Sequence, residues 1–261
     1  MSRVIALANQ KGGVGKTTTA INLGAALARA GQRVLIFDFD PQANSSAGLG
    51  IRTKGLSSYE VVIGGASAID AAVATSVDGL MLIPATPSLA GADVELVPMM
   101  AREFRLKRGL ESVRNAYDYV FIDCPPSLGL LTLNALTAAD SVLIPMQCEY
   151  YALEGLSQLM HTVELVKQGL NPALQTEGIL LTMFDGRANI AHQVAEEVRG
   201  FFPNLVFGSV VPRNVRLSEC PSFGKPILLY DIKSKGCESY LALGNEIMRR
   251  EKARAAEVVV A

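Results

Sequence analysis

The chain has 261 residues, 24 Lys and Arg against 25 Asp and Glu, a formal net charge of -1, and 49% hydrophobic but only 6% aromatic content. A chain of this length buries a sizeable core without disulfide staples, and near-neutrality argues against coating nucleic acid by bulk charge, though not against a local basic face. Four scattered cysteines, Cys124, Cys148, Cys220 and Cys237, form no CxxC pair and only two histidines accompany them, which speaks against a structural zinc site and for small core residues.

Apolar runs of strand length fall at 4–8, 34–38, 80–84, 119–123, 142–145, 178–183 and 206–211. Most are continuous rather than alternating, as strands covered on both faces require, and segments of helical spacing separate them. The expected fold is therefore α/β, a mainly parallel doubly wound sheet. After the first run, residues 17–30 carry Ile21, Leu23, Leu27 and Ala28 at helical spacing, and Gly31 is a natural stop. The Gly- and Ser-rich segment 52–79 is placed only loosely. No linker divides the chain, which predicts one domain over 1–261. The apolar run at 4–8 is too short for a signal peptide and no stretch approaches a membrane span of about 18 residues, so a cytoplasmic protein is expected.

The first predicted strand leads into Asn9-Gln10-Lys11-Gly12-Gly13-Val14-Gly15-Lys16-Thr17-Thr18 and then the helix. Glycines let successive N–H groups turn around an anion, and a helix N-terminus adds its positive end. Lys16 supplies a point charge and the Thr17 hydroxyl a magnesium ligand. This is a triphosphate cradle in which the first Gly of G-x-x-x-x-G-K-[ST] would fall at Gln10. With Lys11 preceding a Gly-Gly pair, the run resembles the deviant Walker A motif, KGGxGK[ST], of the ParA and MinD family of ATPases. The resemblance implies a P-loop NTPase that takes ATP and Mg2+, with Lys11 reaching across a nucleotide-sandwich homodimer to the partner's phosphates, in the manner of an arginine finger.

Two predicted strands end in acids, Phe37-Asp38-Phe39-Asp40-Pro41-Gln42 and Phe121-Ile122-Asp123-Cys124-Pro125-Pro126. An apolar strand ending in Asp puts a carboxylate at the sheet rim, where it holds magnesium directly or through water, or else caps a helix. Asp123 fits a Walker B role and Asp38 the metal shell. The Asp-x-Asp-Pro-Gln run resembles the family's first switch, which implies that Asp40 positions the attacking water. Hydrolysis needs an oriented water and neutralised phosphate rather than a covalent nucleophile, so the catalytic candidates are Lys11, Lys16 and Asp40. Residues 125–129 fit the family's second switch.

Thr182-Met183-Phe184-Asp185 echoes a guanine-reading loop but has Met in place of its Lys, which favours adenine. The run 211–219 resembles the family segment that packs on adenine, which implies Pro212 and Asn214 as base contacts, with Thr182 and Met183 beside them. Arg187 and Arg216 stand in segments resembling those that carry the family's DNA-contacting arginines. The expected partners are non-specific double-stranded DNA, bound only as the ATP dimer, and a ParB-like protein that stimulates hydrolysis, with a nucleoid location. The tail 246–261 has three acids and no aromatic residue, a poor interfacial anchor, so a MinD-like membrane cycle is the weaker alternative, beside a nucleotide-dependent scaffold with little turnover.

Overall fold

The computed structural model describes residues 2–260. Seven strands, β1 (Arg3–Leu7), β2 (Val34–Asp38), β3 (Val73–Ala74), β4 (Leu80–Ile83), β5 (Tyr119–Asp123), β6 (Ser141–Gln147) and β7 (Gln175–Thr182), form one sheet in the order β3-β4-β2-β5-β1-β6-β7. Every pairing is parallel except the two-residue β3 against β4.

Alternation along each strand splits the interior in two. Val4, Ala6, Leu35 and Phe37 face one apolar cluster, and Ile5, Leu7, Val34 and Ile36 the other. The first cluster is closed by α3 (Ser58–Ile63), α4 (Ala68–Ala71), α5 (Leu89–Glu95), α6 (Arg105–Gly109), α7 (Leu130–Ala138), α8 (Ala152–Gly169) and α9 (Asn189–Phe201). The second is closed by α1 (Lys16–Arg29), by Leu49 just beyond α2 (Asn44–Gly48), and by α10 (Val215–Glu219), α11 (Ile227–Tyr230) and α12 (Lys235–Val260). The doubly wound α/β architecture expected from the continuous apolar runs is the one observed. All four cysteines are buried and free.

One expected strand is absent. Residues 206–211 pair with β7 only intermittently: the Phe207 N–H donates to Ile179 O and the Val211 N–H to Leu181 O, both at 2.9 Å, with isolated parallel bridges at Ile179 to Val206 and, just beyond both segments, Phe184 to Pro212. The Glu246 carboxylate of α12 accepts the Gly208 and Ser209 N–H groups at 3.0 and 2.9 Å, taking the amides that a continuous ladder would use. The segment 52–79 is ordered into α3, α4 and β3, the first opened by a capping box in which Ser57 and Glu60 serve each other's backbone amides. No helix among the described residues is long and apolar enough to cross a membrane. The tail reading falls partly on Ala261 and on side chains at 255 and 257–260, which lie outside the described residues.

Candidate functional site

The loop between β1 and α1 sits at the carboxyl edge of the sheet, where a doubly wound fold places its ligands. Gly15 adopts φ 88, a left-handed turn that L side chains resist, and aims the first amides of α1 inward. Lys16 is almost fully buried, its Nζ donating to the carbonyls of Asn9 at 3.0 Å and Lys11 at 3.2 Å. Burial lowers its pKa, opposed chiefly by Asp123. Lys11 instead points outward and pairs with Glu149. Asn9 stiffens the loop by donating to Pro145 O at 2.8 Å and accepting the Lys11 N–H at 3.0 Å.

Asp38 and Asp123 end adjacent strands at one register position, and both are fully buried. Desolvation, then the Asp123 charge, push the Asp38 carboxyl upward. Asp123 is also raised by burial, against the lowering pull of the Ser45 and Thr17 hydroxyls. The short helix α2 holds the pair in place. Ser46 donates its N–H and hydroxyl to Asp38 Oδ2 at 2.8 and 2.6 Å, and Ser45 its hydroxyl to Asp123 Oδ2 at 2.8 Å. Asp38 thus also serves the amino end of α2, as the competing capping role would have it. Ser45 and Ser46 escaped sequence reasoning, although two hydroxyls one turn beyond Asp-x-Asp-Pro-Gln were the available signal.

Asp123 Oδ1 is buried without a hydrogen-bond partner. An orphaned carboxylate oxygen costs free energy unless a cation or water takes it, and with Thr17 and Asp38 at hand this donor set suits a hard divalent ion such as Mg2+.

A cavity of about 580 Å3 brings together Gly12, Gly13, Gly15, Lys16, Thr17, Thr18 and Asp40, with Pro126 beside Gly12. A second, of about 530 Å3, shares Gly15, Thr18 and Met183 with it and adds Thr182, Pro212 and Asn214. Phosphate-loop and base candidates therefore line two connected hollows of nucleotide dimensions. Val14 is buried, and its carbonyl accepts from the Thr182 hydroxyl at 2.8 Å, which ties the end of β7 to the loop. Asn214 caps α10, its side chain accepting the Arg216 and Leu217 N–H groups at 2.9 and 3.4 Å. Arg187 and Arg216 lie outside both hollows, exposed, each held by neighbouring acids: Arg187 by Asp185 at 2.8 Å, Arg216 by Glu219 at 2.9 Å and Asp231 at 3.5 Å.

A mainly parallel sheet whose inner strand β1 feeds a Gly-rich loop, a buried lysine followed by a threonine, and strand-end acids define a P-loop NTPase, here with the additional loop lysine Lys11. The family model described as AAA domain matches residues 2–176. Chromosome partitioning protein ParA of Myxococcus xanthus is 65% identical over 253 residues, covering 96% of this chain and 89% of that protein. Sporulation initiation inhibitor protein Soj of Bacillus subtilis is 59% identical over 249 residues, covering 95% and 98%. A solved structure described as cobyrinic acid a,c-diamide synthase from Mycobacterium smegmatis, with bound ADP and magnesium, matches with a TM-score of 0.84 at 40% identity, covering 97% of this chain and 96% of that one. The chain belongs to the ParA and Soj family of chromosome-partitioning P-loop proteins.

Proposed function

We propose that this single-domain protein is an Mg2+-dependent ATPase of DNA partition: its ATP-bound sandwich homodimer holds double-stranded DNA without sequence preference, and a ParB-like partner stimulates hydrolysis. The observation that carries this reading is the convergence of Lys16, Thr17 and Asp40 on one hollow above the buried Asp38 and Asp123 pair. The amides from Gly12 to Thr18 cradle the phosphates, and Lys16 exchanges its two loop carbonyls for phosphate oxygens. Thr17 and Asp123 would hold the metal, with Asp38 beside them, and the ion would supply positive charge to the phosphates. Asp40 orients the attacking water, and Thr182, Met183, Pro212 and Asn214 enclose the adenine.

Lys11 is solvent-facing in the monomer, as a residue that serves the partner subunit's phosphates needs to be. Arg187 and Arg216 are exposed and bound only to surface acids, pairs that DNA phosphates can replace. Two such faces joined by dimerisation multiply weak, salt-screened contacts, which makes DNA retention ATP-dependent and gives a nucleoid location.

Steady-state phosphate release, measured with and without plasmid DNA and the partner, tests the reading. Slow release that DNA and partner together accelerate, and that Lys16→Ala abolishes, is expected. ATP-driven sedimentation with anionic vesicles in place of DNA would assign the membrane-cycling alternative, and ATP-dependent dimerisation without any phosphate release the scaffold.

A further inference from the structure

The hollow that receives the phosphates and the turn that carries Arg216 share a wall. Helix α2, tied to Asp38 and Asp123 through Ser46 and Ser45, closes in a turn at Gly50, where the Leu49 N–H donates to Ser45 O at 3.1 Å and the Gly50 N–H to Ala47 O at 3.0 Å. Gly50 then lies against the backbone of Gly224. A Cβ built on Gly224 would stand 2.7 Å from Gly50 Cα, closer than packed atoms approach, and both residues have positive φ, 71 and 62.

Gly224 in turn closes the short helical turn Cys220–Phe223, donating its N–H to Pro221 O at 3.0 Å, and that turn follows α10 directly. Leu49, Leu217 and Cys220 are buried in the same apolar cluster. The chain of contacts ends on Arg216, which Glu219 and Asp231 hold, and Glu219 is steadied by the Tyr230 hydroxyl at 3.0 Å.

We propose that the backbone contact between Gly50 and Gly224 is the joint through which α2, seated on the acid pair Asp38 and Asp123 and lining the nucleotide hollow, sets the position of Arg216, with Glu219 the positioning residue that holds the arginine back. The proposal rests on the reading of Arg216 as a DNA contact. Its physical basis is occupancy of the hollow, which Asn44, Ala47 and Gly48 of α2 line beside Lys16 and Asp40. The longer triphosphate displaces α2 from the resting position that Ser45 and Ser46 fix on the acids, and the diphosphate does not. Two side-chain-free backbones in contact have no soft atoms to absorb that shift, so the 220–224 turn and α10 move with it. Arg216 is carried off its acids and becomes available to phosphate.

The test is the ratio of DNA affinities with non-hydrolysed ATP analogue and with ADP, measured by fluorescence anisotropy on a labelled duplex, beside fluorescent-nucleotide affinity and dimer mass. In Gly224→Ala and Gly50→Ala, nucleotide affinity and dimer mass stay parental while the ratio falls to what dimerisation alone supplies, losing much of the roughly 5- to 150-fold that a coupling of this kind adds. If Gly224→Ala does not fold, Gly50→Ala decides, since its Cβ meets Gly224 O at a milder 3.3 Å. Glu219→Gln reduces the ratio from the other side, raising affinity in the ADP state more than in the ATP state.

Glycine variants that dimerise normally and keep the parental ratio overturn the joint. An equal gain in both states for Glu219→Gln reflects surface charge alone and overturns the holding role. A parental protein that binds DNA equally with either nucleotide, or an Arg216→Glu protein with undiminished DNA affinity, overturns the DNA reading itself and the joint with it.

Discussion

Replacing Asp123 with Asn in the nucleotide-free, EDTA-treated protein is expected to raise its melting temperature while abolishing its Mg2+-dependent turnover. Asp38 and Asp123 are buried side by side at the ends of β2 and β5, and the carboxyl groups are pushed up to about 7 and about 6, mainly by burial. Moving the Asp123 carboxyl that far from its ordinary value costs the folded protein on the order of 3 kcal/mol at neutral pH. An Asn side chain keeps an oxygen for the Ser45 hydroxyl and loses the charge. The attraction of Lys16 is already contained in that figure, but the Asn amide brings a buried N–H pair that needs acceptors, which offsets part of the gain. A net stabilisation of about 2 kcal/mol corresponds to roughly 4–8 °C in Tm for a domain of this size.

The pH dependence supplies an independent check. The folded protein keeps protons on these acids that the unfolded chain has already released, so the parent loses stability as pH rises from the ordinary carboxylate range to about 7. The variant lacks much of that slope. Differential scanning calorimetry in EDTA is therefore expected to show a gap between variant and parent that is closed below about pH 4, opens through pH 5 and 6, and is fully developed near pH 8. A variant that melts at or below the parent at pH 8, or a gap that does not depend on pH, refutes the view that the acid pair is an uncompensated load carried for the sake of a metal.

Asp40→Ala is expected to bind ATP, dimerise and remain on DNA while releasing phosphate at a small fraction of the parental rate; parental turnover would remove Asp40 from the water-positioning role. Lys11→Ala should keep most of the monomer's nucleotide affinity and lose the ATP-dependent dimer, read by light scattering after size exclusion. Arg216→Glu, still binding ATP and dimerising, should lose plasmid DNA at low salt. The parental complex should weaken by several powers of ten between about 50 and 200 mM salt if it engages several phosphates, and a flat salt response would count against a phosphate-contacting face.

What could be read from the chain in advance follows a physical division. The phosphate loop was legible because its chemistry is local: glycines, Lys16 and Thr17 need only their immediate neighbours to form a cradle. Asp38 and Asp123 were legible as strand ends, and the sheet places them at one register position. Residues 206–211 misled because their apolar content says strand, while the carboxylate that takes their amides, Glu246, comes from a helix some forty residues further on, a non-local contact that no propensity encodes. Part of the uncertainty over 52–79 could have been avoided, since Ser57 followed three residues later by Glu60 is a capping-box signature in the sequence itself. Ser45 and Ser46 left only a faint trace in the sequence, two hydroxyls shortly after Asp-x-Asp-Pro-Gln. Their function lies in reaching acids on two different strands, and only the folded chain shows that both are within hydrogen-bonding distance.

The two margins of the sheet constrain how copies of this protein can associate. On one side stands a strand of only two residues running against its neighbour, and on the other a segment whose Phe207 and Val211 amides go to β7 and whose Gly208 and Ser209 amides go to Glu246. Neither offers the row of unpaired peptide groups onto which a further chain could add. Growth into fibres by strand addition is thus blocked at both ends. Any assembly of subunits has to be built through loops and helix faces, where each contact can be made and broken within one catalytic cycle.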